Sequence, residues 1–430
     1  MSIKKYVKAI SILWASSMVG AGVTFLIQVL VARRLGVESF GDFSSALAVV
    51  TIVSPLAGFG IQGFWLRIFG EEGPTALRWV GSSLRFSLLT TLTVFVFLLS
   101  WAILSHSEEK IFDLLKLLLS LHLFSIVLVE LVSGCLQIEG RYGVLAMWQL
   151  APHLMRFVLI ATMLLFFSAD ILTIGYIYAV VSLLLLTIGI GVLRRMLSGD
   201  LQLAAKVDQQ VKILPPGNDV SILNVFKGAW PFGAAAAFYL IYFQIAVVLL
   251  RELSGPASAG IYNVAFLILS AFYLFPSVVY QKFLVPKVFH WSNHDKRRMR
   301  ETYRIGMRFM LALGLLAMVG IWIGSPYMVP LVFGDHYKSS VPVLQILALA
   351  APMRFLSSTF SSVLTTQHLM KLKVVVMFIG AVLAIAVGVV AITLFGVVGA
   401  ASTTVFVELF LLGSFYCIVK KFVFRTKLRI

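Results

Sequence analysis

Apolar residues run along this chain in stretches of about 20 to 25 positions, broken by short polar segments. That is the length a helix needs to cross a hydrocarbon core roughly 30 Å thick. The pattern predicts about twelve transmembrane helices. They fall at residues 9–32, 42–66, 80–104, 112–136, 144–168 and 171–193, then 223–250, 259–286, 305–325, 341–364, 374–395 and 397–419. The stretch Ile10 to Val31 is too long for a signal peptide and carries no small-residue cleavage site, so it reads as the first retained span. The longest interruption, around Arg194 to Leu223, is polar and holds Pro215-Pro216-Gly217. It divides six spans from six and predicts an N-terminal six-helix lobe (1–199), a cytoplasmic linker (200–222) and a C-terminal six-helix lobe (223–430).

Charge turns this list of spans into an oriented one. Most of the 35 Lys and Arg residues fall at the N-terminus, the C-terminus and alternate loops, among them Lys4, Lys5, Lys8, Arg194, Arg195 and the run Lys296 to Arg308. The opposite loops hold Arg33, Arg34, Lys110, Arg251 and Lys338. Cytoplasmic loops collect Lys and Arg, so both termini are expected in the cytoplasm and the span count is expected to be even. The composition, 60% hydrophobic and only 12% charged, excludes an ordinary soluble domain, which carries roughly twice that charge. The net charge of +17 raises a nucleic-acid reading, and the placement of the basic residues between apolar spans excludes it. Cys135 and Cys417 lie at the ends of different spans and build neither a disulfide framework nor a metal site.

The halves echo each other. Arg34-Leu35-Gly36-Val37-Glu38-Ser39-Phe40-Gly41-Asp42-Phe43 aligns, with one inserted residue, against Glu252-Leu253-Ser254-Gly255-Pro256-Ala257-Ser258-Ala259-Gly260-Ile261-Tyr262. Each follows the first span of its half and precedes a span with an internal proline, Pro55 or Pro276, where a bend is expected. Gln137 and Gln367 sit alike at the cytoplasmic ends of the fourth spans. Six spans per half make the repeat parallel, about an axis along the membrane normal. Chance likeness between apolar segments is the competing explanation.

Ionisable groups at mid-bilayer are costly, so they face a cavity, a partner or another helix. Arg156 and Arg354 each lie about 12 residues into their spans, near the midplane at the helical rise. His153 is one turn before Arg156, and His122 shares a span with Glu130. One expectation is a cationic cavity lined by Arg156 and Arg354, extended by Arg33 and Arg34 at the outer end of the first helix, with Lys116 assisting or snorkelling outward. The other is that the midplane arginines are structural, neutralised by Glu130 or Glu408. Asp42, Glu130 and Glu408 are candidate proton or sodium sites. The first span carries a stripe of Ser16, Gly20, Thr24 and Gln28; the second carries Thr51, Pro55, Gly58 and Gln62; the eighth carries Asn263, Ser270 and Ser277. Such stripes suit either an aqueous path or close helix packing. Thr24, Gln28, Gln62, Asn263 and Ser277 are the path candidates. No phosphate-binding glycine loop and no zinc-binding His-Glu-x-x-His occurs, so no cofactor is expected beyond a coupling ion.

Val31-Ala32-Arg33-Arg34-Leu35-Gly36-Val37-Glu38-Ser39-Phe40-Gly41-Asp42-Phe43 resembles the first outer loop of Wzx-type polysaccharide biosynthesis flippases. Gly58-Phe59-Gly60-Ile61, Leu136-Gln137-Ile138-Glu139-Gly140-Arg141-Tyr142 and Phe333-Gly334-Asp335-His336-Tyr337 with Val343-Leu344-Gln345-Ile346-Leu347-Ala348 are similar to the same family, in the same order. The resemblance implies an all-α polytopic fold like the multidrug and toxin extrusion (MATE) transporters, two six-helix lobes in a V. It implies a non-enzymatic flippase of the bacterial inner membrane that moves polyprenyl-diphosphate-linked oligosaccharide, an O-antigen or exopolysaccharide unit, to the periplasmic leaflet. The implied partners are that lipid-linked oligosaccharide, the bilayer, a polysaccharide polymerase and a chain-length regulator. Lipid II flippases of the wider superfamily also carry arginines where Arg33 and Arg34 stand. The alternatives are a multidrug or cation antiporter of the same fold and, from another class, a membrane polymerase or ligase. The short outer loops, the longest about Pro326 to Ser340, argue against the enzyme.

Overall fold

The computed structural model describes residues 3–104, 110–167, 170–199, 220–277, 296–364 and 369–421, and side chains from residue 11 onward except 275–304 and 362–363. The described residues are almost wholly helical. In order they form α1 (Ile3–Gly58), α2 (Ile61–Glu72), a 3-10 turn (Gly73–Trp79), α3 (Val80–Leu104), α4 (Lys110–Ser120), α5 (His122–Ile138), α6 (Tyr142–Phe166) and α7 (Ile171–Leu197). Then follow α8 (Ile222–Ser254), α9 (Pro256–Ser277), α10 (Lys296–Phe333), a 3-10 turn (Asp335–Tyr337), α11 (Ser340–Ala348), α12 (Ala350–Leu364) and α13 (Met370–Val419).

All twelve expected spans are helical where described, but several share one helix or divide between two. Among the described residues, eight helical runs are long and apolar enough to cross a bilayer, or nine when the bent pair α11–α12 is one span. Two of these runs exceed a single crossing. At a rise of about 1.5 Å per residue, the 50 residues of α13 are long enough to cross twice. The chain turns within them at Gly396, whose φ of 56° and ψ of −131° only glycine adopts without strain. Gly36, at φ 81° and ψ 179°, does the same inside α1. The bend expected at Pro55 is displaced: α1 continues through the proline and ends at Gly58, with Phe59 and Gly60 at φ 44° and 71°. The side chains of Pro276 and Ser277 lie outside the described residues, as do the linker residues 200–219 and Gln367.

Rows of large apolar side chains stand exposed, such as Leu88, Leu89, Leu92, Val96 and Phe97 on α3 and Val390, Leu394 and Phe395 on α13. In water such faces would drive aggregation; against lipid they are the expected surface. At α7 the chain leaves an apolar environment properly capped: Asp170 accepts hydrogen bonds from the backbone N–H of Thr173 at 2.9 Å and from its hydroxyl at 2.8 Å. Those bonds hold the Asp170 carboxyl below the usual carboxylate range.

The chain forms two compact units, one of residues Met1–Ile27 with Val49–Ala237, the other of Gln28–Ala48 with Phe238–Ile430. In the first unit α5 packs on α7, with α2, α4 and α6 around them. Its interior holds Leu128, Val132, Leu136 and Leu145 against Trp148, Leu186 and Leu193. In the second unit α12 packs between α10 and α13, and α11 packs on α9.

The second unit also contains both repeated loop motifs, and they meet reciprocally. Gly41 lies so close to the carbonyl oxygen of Pro256 that no Cβ fits, and Gly260 lies likewise against the carbonyl of Val37. Asn263 Nδ2 donates to Ser44 Oγ at 2.8 Å across 219 residues of sequence. The same offset relates Gly36 to Gly255, both at positive φ, Val37 to Pro256 and Gly41 to Gly260. Reciprocal contacts at one offset are what a parallel two-fold repeat produces where its copies meet its own axis.

Candidate functional site

In the first unit α6 carries Arg156 and, one turn earlier, His153 on the same face. Arg156 is 5% exposed. Its Nη2 donates to His122 Nδ1 at 3.0 Å and to Ser125 Oγ at 3.1 Å, both on α5. The guanidinium lies 4.7 Å from the centre of the Tyr178 ring on α7, and Tyr178 meets His122 edge-on at 5.2 Å. Arg156 Nε is buried and has no hydrogen-bond partner among the described residues. No carboxylate forms an ion pair with Arg156 among those residues. On the open side of the cluster, half-buried His153 meets Thr24 of α1, Nδ1 to Oγ1, at 2.8 Å. The arrangement is a single positive charge with neutral partners and one buried donor, Nε, left without a partner among the described residues.

Arg354 of α12, in the second unit, has the opposite surroundings. Its Nη1 donates to Glu408 Oε1 of α13 at 3.0 Å and to the Tyr242 hydroxyl at 3.2 Å; its Nη2 donates to the Tyr239 hydroxyl at 2.7 Å. The rings of Tyr239, Phe243 and Tyr273 lie within cation–π reach. The pair is charge-neutral. Glu408 Oε2 and the Tyr273 hydroxyl are buried without hydrogen-bond partners among the described residues.

The remaining sequence candidates are dispersed. Arg33 and Arg34 are exposed, and Arg33 Nη2 donates to the Leu331 carbonyl. Asp42 is ion-paired with Arg251 at 3.0 Å. Glu130 is half-buried, with Oε2 against Gly58, and has no ion-pair partner among the described residues. Gln28 is buried with Oε1 unpartnered among those residues. Gln62 is half-buried beside Gly134, and Asn263 is buried on Ser44. Lys116 does not snorkel outward: it is buried, 2.7 Å from Asp113 and against the rings of Trp101 and Phe112. Sequence reasoning did not place Ser125, Tyr178, Tyr239, Tyr242 or Tyr273 around the arginines. Tyr239 and Tyr242, three residues apart in an apolar span, are the one local signal that pointed there.

Fold and charges together describe a multi-pass helical membrane protein with cations buried inside its bundles. The chain belongs to the polysaccharide biosynthesis protein family, whose model matches residues 6–291. The MatE family model matches residues 231–390. The lipopolysaccharide biosynthesis protein WzxC of Escherichia coli K12 is 26% identical over 160 residues, 36% of this chain, and the match spans about a third (32%) of WzxC. Among solved structures, a lipid II flippase MurJ in an inward closed conformation superposes with TM-score 0.70 at 15% identity, covering 95% of this chain and 87% of MurJ. An inward-facing multidrug resistance MATE transporter gives TM-score 0.70 at 15% identity, covering 94% of this chain and 96% of the transporter. At that identity these two establish the fold.

Proposed function

We propose that the chain is a flippase that turns a polyprenyl-diphosphate-linked oligosaccharide, an O-antigen or exopolysaccharide unit, from the cytoplasmic to the periplasmic leaflet of the bacterial inner membrane by alternating access. Arg156 carries the reading: it is a buried mid-span guanidinium with no carboxylate beside it among the described residues. A charge so placed is costly until an anion joins it, and a diphosphate presents oxygens that a guanidinium fork meets in pairs. The family membership and the names of WzxC and MurJ support the substrate class.

In this reading Arg33 and Arg34 receive the headgroup at the outer end of α1. Arg354, already neutralised by Glu408, organises the second unit more than it binds substrate. Thr24, Gln28, Gln62, Asn263 and Ser277 are the polar groups available to sugar hydroxyls. The six-helix lobes 1–199 and 223–430, joined by the linker 200–222, are the bodies that alternate, with both termini cytoplasmic. Of the carboxylates, Glu130 is the one free to couple a proton or sodium ion, because Asp42 and Glu408 each hold an arginine. A polymerase and a chain-length regulator take the delivered unit. The MatE match favours one second reading, a multidrug antiporter; it requires drug resistance to rise when the chain is expressed.

The test is surface glycan in cells whose only flippase is this chain. Arg156→Gln should lower glycan export at least about tenfold at normal protein abundance, the effect of losing about 1.4 kcal/mol of headgroup binding or more. Arg156→Lys should retain part of the activity and Arg354→Gln should lose less export per folded molecule. Wild-type export by Arg156→Gln at normal abundance would sink the assignment.

A further inference from the structure

We propose that the anion site around Arg156 takes up one proton with each diphosphate it binds, and that His122 holds that proton. The inference rests on the flippase reading of Arg156 and adds the coupling of that site.

The hydrogen bonding around Arg156 fixes the starting state. Arginine has only donors, so His122 Nδ1, 3.0 Å from Arg156 Nη2, must be the unprotonated nitrogen of a neutral ring. Among the described residues, the charged or titratable groups facing His122 are Arg156 and His153 on α6 and Tyr178 on α7; α5 itself adds Ser125, and α1 adds Thr24 through His153. None of them is a carboxylate. Protonating His122 without an anion beside it would therefore set two positive charges about 3 Å apart in a low-dielectric interior and remove the acceptor that Arg156 uses.

A bound diphosphate reverses both effects. Its oxygens replace His122 as the acceptor for Nη2 and give the orphaned Nε of Arg156 a partner. His122 Nδ1 is then released beside an anion, where an N–H on it becomes a useful donor. A diphosphate diester carries two negative charges. Arg156 supplies one positive charge and His122, protonated from water, supplies the second, so the loaded site is neutral. The step is a proton transfer without redox change: a solvent hydronium ion gives up one O–H bond, water is left, and an N–H bond forms at Nδ1. The loaded state binds more protons than the empty one, so linkage requires the anion to bind more tightly as pH falls through the range where His122 titrates.

The experiment uses the full chain in lipid nanodiscs and P1,P2-dimethyl diphosphate, whose two charges are constant near neutral pH. Titration calorimetry in buffers of differing ionisation heat counts the protons exchanged. Wild type should take up about one proton per anion, with affinity rising up to about tenfold for each unit that pH falls across roughly 6 to 8. His122→Gln should bind the anion with no uptake and a flat pH profile, whereas His153→Gln should keep the uptake. Binding by wild type without uptake overturns the proposal, as does uptake that survives in His122→Gln. Should His122→Gln fail to fold, the wild-type proton count decides alone. No anion binding at any pH, or unchanged binding by Arg156→Gln, sinks the anion-site reading itself.

Discussion

Arg354 and Glu408 face each other across 3.0 Å, with side chains only 13% and 4% exposed. Removing one member leaves the other ionised in a site already short of partners, since Glu408 Oε2 has none among the described residues. Breaking such a pair costs about 3–5 kcal/mol, whereas replacing both members with apolar residues of similar size is close to neutral. Arg354→Met should therefore destabilise the detergent-solubilised protein by about that amount, and Arg354→Met/Glu408→Met should recover most of the loss. Equal denaturation midpoints for the single and double variants would remove the pair from any structural role. Depth in a span made Arg156 and Arg354 look alike in the sequence. What separates them is the company they keep: Glu408 lies 54 residues away and Tyr239 lies 115 away, relations that no local spacing encodes. His122 was likewise legible as a buried histidine but not as the partner of an arginine 34 residues on.

Helices and their breaks follow two different rules. Span positions were readable because lipid demands a continuous apolar run with every backbone group bonded inside the helix. A bend was read at Pro55 and lies instead just beyond it, at Phe59 and Gly60. Pro55 loses one hydrogen bond yet keeps a helical φ, so α1 continues through it. Inside or beside the long helical runs the chain turns where Gly36, Gly60 and Gly396 supply positive φ. The close approaches of Gly41 and Gly260 are a stricter use of glycine, because the atom a Cβ would meet is a carbonyl oxygen of the opposing backbone, which no rotamer change relieves. Gly41→Ala and Gly260→Ala should each cost about 1–3 kcal/mol or more, as overpacking does. Gly22→Ala, in α1 with open space around it, should raise stability by about 0.5–1 kcal/mol. Thermal melting of the three variants in detergent checks this; similar small shifts for all would mean that the two loop motifs do not pack as described.

For the whole molecule, the hydropathy pattern predicts six spans followed by six, and the compact units group Gln28–Ala48 with Phe238–Ile430. Within that unit Asp42 meets Arg251, 209 residues away, and Ser44 meets Asn263, 219 away, ties that a reading of successive spans does not register. Orientation, by contrast, is carried by local charge. The loop near Arg194 and Arg195 is expected in the cytoplasm and the loop near Asp335 to Ser339 in the periplasm, with an odd number of crossings between them. Ser198 and Ser339 are both exposed and mark those two loops. In a background with Cys135 and Cys417 replaced by alanine, a membrane-impermeant maleimide applied to intact spheroplasts should label Ser339→Cys and spare Ser198→Cys until the membrane is permeabilised. The reverse pattern would invert the protein in the bilayer. Labelling of both without permeabilisation would mean that the crossings between α7 and α11 are miscounted, and the even total inferred from loop charge would fall with them.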